Sequence, residues 1–214
     1  RLAVNYYLGD VVLSATAGRY TQLPVSRLLA QENKLKSESC IQYNVGAQYE
    51  GDGRFYKAEL YYKKYDRLAL VEKGTVDVAE VLTSGGYGYS KGFDLFFNDR
   101  VLLKNLEYQL SYTYNIAKRK FQEYTELTTP QYATRHNASL VLKYSIPRIG
   151  TIVGLTNRFS SGRPYHNPDL PGLMNDHVKP YNSLDLGLTF LPSKKVIIHA
   201  SATNILCRKN EFGR

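Results

Sequence analysis

Polar and apolar residues alternate along most of this chain, most regularly over residues 106–116. Leu106, Tyr108, Leu110, Tyr112, Tyr114 and Ile116 share one parity; Glu107, Gln109, Ser111, Thr113 and Asn115 share the other. A period of two predicts a strand with one apolar and one polar face. The alternation lasts about twelve residues, where an ordinary strand has roughly five or six. A tilted strand crossing a bilayer needs about 9–11. Residues 87–97 repeat the pattern and join it through a polar turn near 98–104. With Asn98 opposite Asn105, the apolar pairs become Phe93/Leu110, Leu95/Tyr108 and Phe97/Leu106. The polar pairs become Asp94/Gln109 and Gly92/Ser111. Lys91 falls on the apolar parity and is expected near or above an outer interface, where its amine can snorkel.

The same hairpin recurs along the chain. Residues 2–8 and 11–20 flank Gly9-Asp10, and 40–50 and 54–65 flank Gly51-Asp52-Gly53. Residues 135–146 and 151–161 flank Pro147-Arg148-Ile149-Gly150, and 182–191 and 195–205 flank Pro192-Ser193. Long polar connections separate the hairpins, at 21–38, 66–85, 121–134 and 162–180. Loops of such length are uncommon in compact soluble domains. Here every long one falls on one side of the sheet and every short one on the other. That asymmetry predicts an all-β fold, a portion of an antiparallel transmembrane β-barrel. It has about ten long strands, with short periplasmic turns and long extracellular loops. The polar faces carry Glu, Gln, Lys, Asn and Asp, which suits a watery or plugged lumen better than a packed core. No apolar run approaches 18 residues, which excludes a membrane-crossing helix and leaves a barrel untouched.

Composition strengthens the β reading, with 19 Tyr, 8 Phe and 16 Gly against one Met and no Trp. The formal charge is +9. Its basic residues stand at strand ends and turns (KYDRL, IAKRK, SKK, CRK), which suits anionic lipid headgroups better than nucleic acid. Cys40 and Cys207 lie at one rim about seven strands apart, at roughly 4.8 Å per strand, and are expected as free thiols. The chain opens on Arg1 and enters a strand-like run at once, without an initiator Met or signal peptide, and reads as a fragment or processed product.

Candidate chemistry is sparse. His166, Asp169, Asp176 and His177 share one loop and form the one grouping that could hold a metal or an acid–base pair; solvated loop polars are the plainer reading. His199 reads as a lumen-wall residue. No serine sits in a nucleophile elbow and no Gly-rich phosphate loop precedes a helix, so no enzyme, cofactor or metal is expected. Tyrosines toward both strand ends read as interfacial belts. Ligand contact is expected instead from loop residues: Gln131, Tyr132, Arg163, Tyr165, His166, Asn167 and Asp169.

Several stretches together resemble the C-terminal barrel half of TonB-dependent outer-membrane receptors. They are GYGYSKGFDLFFNDR, LKNLEYQLSYTYNIAKRKF, TPQYATRHNASLVLKYSIPRIG, GLTNRFSSGRPYHNPDLPG, YNSLDLGLTFLPS and IIHASATNILCRKNEFGR, with RYTQLP and KLKSES upstream. The order and spacing of these stretches carry the likeness more than any single motif. The resemblance implies a barrel of about 22 strands around an N-terminal plug. It also implies a bacterial outer-membrane location and energised uptake of a nutrient ligand. The partners would be outer-membrane lipid and the TonB complex, reached through an N-terminal region that these residues do not include. On this reading residues 1–214 are a partial barrel from which the plug and the final strand are absent. Two other readings stay open: a smaller autonomous barrel acting as a surface enzyme or adhesin, and a soluble basic β-protein that binds polyanions.

Overall fold

A computed structural model describes residues 1–72 and 81–210 of the protein. Its strands are β1 (Leu2–Leu8), β2 (Val11–Gln22), β3 (Glu38–Gly51), β4 (Arg54–Glu72), β5 (Val81–Leu103), β6 (Leu106–Lys120), β7 (His136–Ile146), β8 (Thr151–Ser160), β9 (Pro164–Tyr165), β10 (Asp176–His177), β11 (Tyr181–Ser193) and β12 (Val196–Ala202). Ten of them form one sheet in the order β1-β2-β3-β4-β5-β6-β7-β8-β11-β12. Every pairing in it is antiparallel, and β9 and β10 make a separate two-residue ribbon within the last long connection. The sheet does not close on itself: β1 and β12 are its edges.

The predicted parity holds across the wall. One continuous row runs Tyr6, Leu13, Ala47, Ala58, Leu95, Tyr112, Ala138 and Phe159. This face stays open, with Val45 at 59% and Leu60 at 62% exposure. At roughly 25 cal/mol per Å² of apolar surface, such a face is untenable in water and belongs against lipid. The opposite face carries the ion pairs Lys57–Glu59 (3.0 Å) and Arg158–Asp185 (3.0 Å). The Thr113 hydroxyl also donates there to Asp94.

Two expectations need correction. The hairpin turn lies at Lys104-Asn105, with Asn105 left-handed (φ 63°), and β5 runs on to Leu103. Phe93 therefore pairs with Tyr114, Leu95 with Tyr112, Phe97 with Leu110, Asp94 with Thr113 and Gly92 with Asn115. The cause is Asp99, whose Oδ1 accepts the backbone N–H groups of Val101 and Leu102, each at 2.8 Å. These bonds hold a bulge between Asp99 and Leu103 that displaces the register. The displacement is even in number, so every face is preserved. The connection expected over 66–85 is the second correction, because β4 continues to Glu72 and β5 begins at Val81. Arg67 adopts φ 60° at a bulge, which turns Leu68, Ala69 and Leu70 into cover. Ala69 packs there with Leu28 and Leu35 of the first loop. That loop also holds a helix the alternation did not predict, α1 (Ser26–Gln31). Cys40 and Cys207 are free thiols, as expected.

Lys91 lies about 12 residues above Leu103. At roughly 3.3 Å per residue and a tilt of about 45°, it stands some 28 Å above the turn. The apolar band of such a barrel is about 25 Å tall. Lys91 is exposed on the outward parity of β5, paired with Tyr62 and Ile116.

Candidate ligand site at the extracellular mouth

The inward face repeats one arrangement four residues apart. In the lower row Gly92 lies between Tyr61 and Asn115; in the upper row Gly88 lies between Tyr65 and Arg119. The missing side chain matters in both. A Cβ on Gly92 would stand 2.8 Å from the Tyr61 hydroxyl, and one on Gly88 would stand 2.8 Å from Arg119 Cγ. The flanking side chains therefore lean across the glycine. The Tyr61 hydroxyl donates to Asn115 Oδ1 (3.0 Å), and Ser90 donates to the same oxygen (2.8 Å). One row higher, the Arg119 guanidinium lies 4.0 Å from the centroid of the Tyr65 ring.

Arg119 is the centre of the mouth. Phe121 and Tyr132 approach its guanidinium at 5.8 and 5.7 Å. Its backbone is clamped to Thr128 in both directions, N–H to carbonyl at 2.8 and 3.2 Å. Its Nε is buried and has no acceptor among the described residues. A buried donor without an acceptor is costly to leave unmade. Beside it lies a cavity of about 250 Å³ whose walls include Tyr20, Leu28, Glu38, Cys40 and Tyr65. The Glu38 carboxylate does not answer Arg119. Its Oε2 accepts from Gln22 Nε2 (2.8 Å) and its Oε1 from the Ala69 N–H (3.2 Å). The mouth thus offers a cation framed by aromatic rings, with one N–H unclaimed.

The residues expected from sequence divide between two places. Tyr132 is at this mouth against Arg119, while the exposed Gln131 is fixed through its N–H to the Tyr124 hydroxyl (3.3 Å). The other five lie in the connection between β8 and β11, which is organised around Asp176 and Asn175. Asp176 Oδ2 accepts from the Tyr165 hydroxyl (2.5 Å) and from Asn167 Nδ2 (3.1 Å). Asn175 Oδ1 accepts the Asn167 N–H (2.8 Å), and its Nδ2 donates to the carbonyls of Leu170 (2.6 Å) and Gly172 (2.9 Å). Asp169 donates its N–H to Asn167 Oδ1 (3.1 Å). The hydroxyl of Tyr165, foremost, together with the neighbouring N–H groups holds the Asp176 carboxyl below the usual carboxylate range. His166 is exposed, and Arg163 lines a separate cavity of about 250 Å³ with Asn137, Lys179 and Tyr181. No group of three metal-ligating side chains occurs among the described residues, so His166, Asp169, Asp176 and His177 do not assemble one. The two loops touch where Leu173 donates its N–H to Glu126 (2.8 Å) and accepts from the Thr128 hydroxyl (3.0 Å).

Residues 1–205 match the family model described as TonB dependent receptor-like, beta-barrel. The chain belongs to that family. Members of this TonB-dependent receptor family are outer-membrane receptors and transporters of Gram-negative bacteria, not enzymes, so this chain is a piece of outer-membrane wall. The solved structures agree on the fold. The ferric-catecholate import receptor Fiu from E. coli superposes with a TM-score of 0.79 at 12% identity, over 99% of this chain and 31% of the receptor. The P. aeruginosa receptor FpvA, solved with pyoverdine-iron complexes, gives 0.77 at 15% identity over 96% and 28%. The FrpB iron transporter from Neisseria meningitidis gives 0.73 at 12% over 96% and 34%. The chain thus spans about a third of the length of each of these receptors. No curated protein gives a significant match.

Proposed function

We propose that this chain supplies the ligand-facing wall of a receptor that imports a bulky anionic ligand in a TonB-dependent manner. The observation that carries this reading is Arg119, a cation held between Tyr65, Phe121 and Tyr132 with its Nε unclaimed beside a cavity. Aromatic rings accept a cation on their faces and stack on a planar ligand. The guanidinium supplies directional donors for an anionic oxygen. A ferric chelate with aromatic, anionic arms fits that chemistry, and receptors for such complexes are among the structural neighbours. Gln131, Tyr132, Arg163, Tyr165, His166, Asn167 and Asp169 remain proposed ligand contacts, with Tyr132 the strongest. Energy for uptake would come through TonB contact outside these residues.

The test uses the full-length receptor. Binding of an anionic ferric tris-catecholate and of an uncharged ferric hydroxamate is compared in detergent, alongside TonB-dependent growth on each. The proposal expects preference for the catecholate, reduced at least tenfold by Arg119→Gln. Equal binding of both probes, or no effect of the substitution, would contradict it.

A further inference from the structure

The cavity at the mouth has a second charged wall. Among its described lining residues, Arg119 and Glu38 carry the formal charges, and they come from different strands. Glu38 opens β3 opposite Gln22 of β2. It has the inward parity of Cys40, which shares one row with Tyr65, Gly88 and Arg119 across β3 to β6. Arg119 reaches over Gly88 to the Tyr65 ring and so approaches the cavity from the far end of that row. The two charges do not neutralise each other, since none of the described ion pairs joins them.

The bulge of β4 keeps them apart. Past the left-handed Arg67, Ala69 donates its N–H to Glu38 Oε1 (3.2 Å), and its carbonyl accepts the N–H of Gln122 (2.6 Å). Val71 adds a second bond to that strand end, donating its N–H to the Gln122 carbonyl (2.8 Å). Gln122 follows Arg119 closely in the chain, so one buried residue, Ala69, ties the acidic wall to the basic one. Gln22 Nε2 fixes the other carboxylate oxygen (2.8 Å). A carboxylate offers about four acceptor sites, so these bonds orient Glu38 and leave capacity on both oxygens. A ligand with anionic oxygens alone meets attraction at Arg119 and repulsion at Glu38. One that also carries an ammonium or N–H donor answers both walls, and specificity is the difference between those two outcomes.

We propose that Glu38 sets ligand specificity at this mouth by accepting from a cationic donor group that the ligand carries beside its anionic centre. The ligand class is an anionic chelate bearing an amine, and a pure polyanion is disfavoured. Gln22 and Ala69 are the positioning residues that hold the carboxylate for this contact. The inference rests on the reading of the Arg119 mouth as the ligand site and adds the second charge that such a ligand must carry.

The test uses the full-length receptor in detergent and ferric tris-catecholates built on one scaffold. One carries a pendant primary ammonium, one has that amine acetylated, and one has it succinylated to a carboxylate. The expected order of affinity is ammonium, acetylated, succinylated, with the ammonium form about tenfold or more above the acetylated one. Glu38→Gln should bring those two within about twofold and raise the affinity of the succinylated probe severalfold, a gain that damage to the fold does not produce. Arg119→Gln should weaken all the probes and keep their order. Heat-modified gel mobility checks that each variant is a folded barrel. Equal binding of the ammonium and acetylated probes by the unsubstituted receptor, or a preference that survives Glu38→Gln, would overturn the role of Glu38. A loss from Arg119→Gln in the same samples would then leave the mouth reading standing, whereas no loss from Arg119→Gln would overturn both.

Discussion

Two regions at the extracellular end carry dense polar and aromatic chemistry, and they use it differently. The connection between β8 and β11 turns its polar groups on one another, with Asp176 taken by Tyr165 and Asn167 and Asn175 taken by backbone carbonyls. The mouth around Arg119 does the reverse. Its glycine rows and clamped loop hold a guanidinium whose Nε has no acceptor among the described residues. Satisfied polar groups give a loop its shape, and an unsatisfied one supplies recognition. Density of polar residues in a sequence does not distinguish these two states.

The largest expected contrast is between Arg119→Gln and Asp176→Asn in the full-length receptor. Removing the Arg119 charge should weaken binding of an anionic ferric catecholate by tenfold or more, as loss of a charge-assisted hydrogen bond of about 1.5–3 kcal/mol implies. Asp176→Asn should change that affinity less than about threefold while speeding protease cleavage within 162–180 severalfold. Comparable affinity losses from the two would erase the distinction. Next in size is Gly88→Ala, whose Cβ would stand 2.8 Å from Arg119 Cγ and 2.5 Å from the Lys118 carbonyl oxygen. It should lower ligand affinity several-fold through displaced stacking on Tyr65, with the folded barrel's gel mobility unchanged.

A pH series sharpens the loop side of the comparison. The Asp176 carboxyl titrates below its unfolded range because its ionised form accepts these bonds. The order it gives is complete above the unfolded pKa, roughly 4, and is lost as pH falls toward the lower folded value. Amide exchange over 162–180 should therefore stay protected from pH 7 to about 4.5 and lose protection below. In Asp176→Asn this step should be absent. The smallest effect concerns the thiols. Cys207, which is exposed, should react with a maleimide several-fold faster than Cys40, and only Cys40, at the cavity, should slow when the mouth is filled.

Much of the wall was legible because parity is a local property. Alternation such as Leu106 to Ile116 assigns a face to each residue without reference to any partner. The turn at Lys104-Asn105 was not legible, since it depends on one carboxylate, Asp99, capturing two N–H groups beyond it. The extension of β4 past Asp66 depends likewise on Arg67 in a left-handed conformation and on cover from the first loop. At the mouth, Tyr132 was singled out because a loop aromatic is conspicuous, and its ring lies beside Arg119. Arg119 was passed over inside a basic run that reads as an interfacial strand end. A signal existed: Arg119 has the inward parity of Asn115, and Gly88 and Gly92 sit on inward positions where neighbouring side chains can cross.

The central claim is that one parity of this wall faces lipid and the other, with Arg119, faces the lumen. Spin labels at Leu95, Tyr112 and Leu140 against Ser111, Thr113 and Arg119, in the full-length receptor in liposomes, test it most directly. Labels at the first three should be relaxed strongly by oxygen, and labels at the last three should be shielded from it. Equal oxygen access at neighbouring positions such as Tyr112 and Thr113 would contradict the assignment of faces and, with it, the inward place of Arg119.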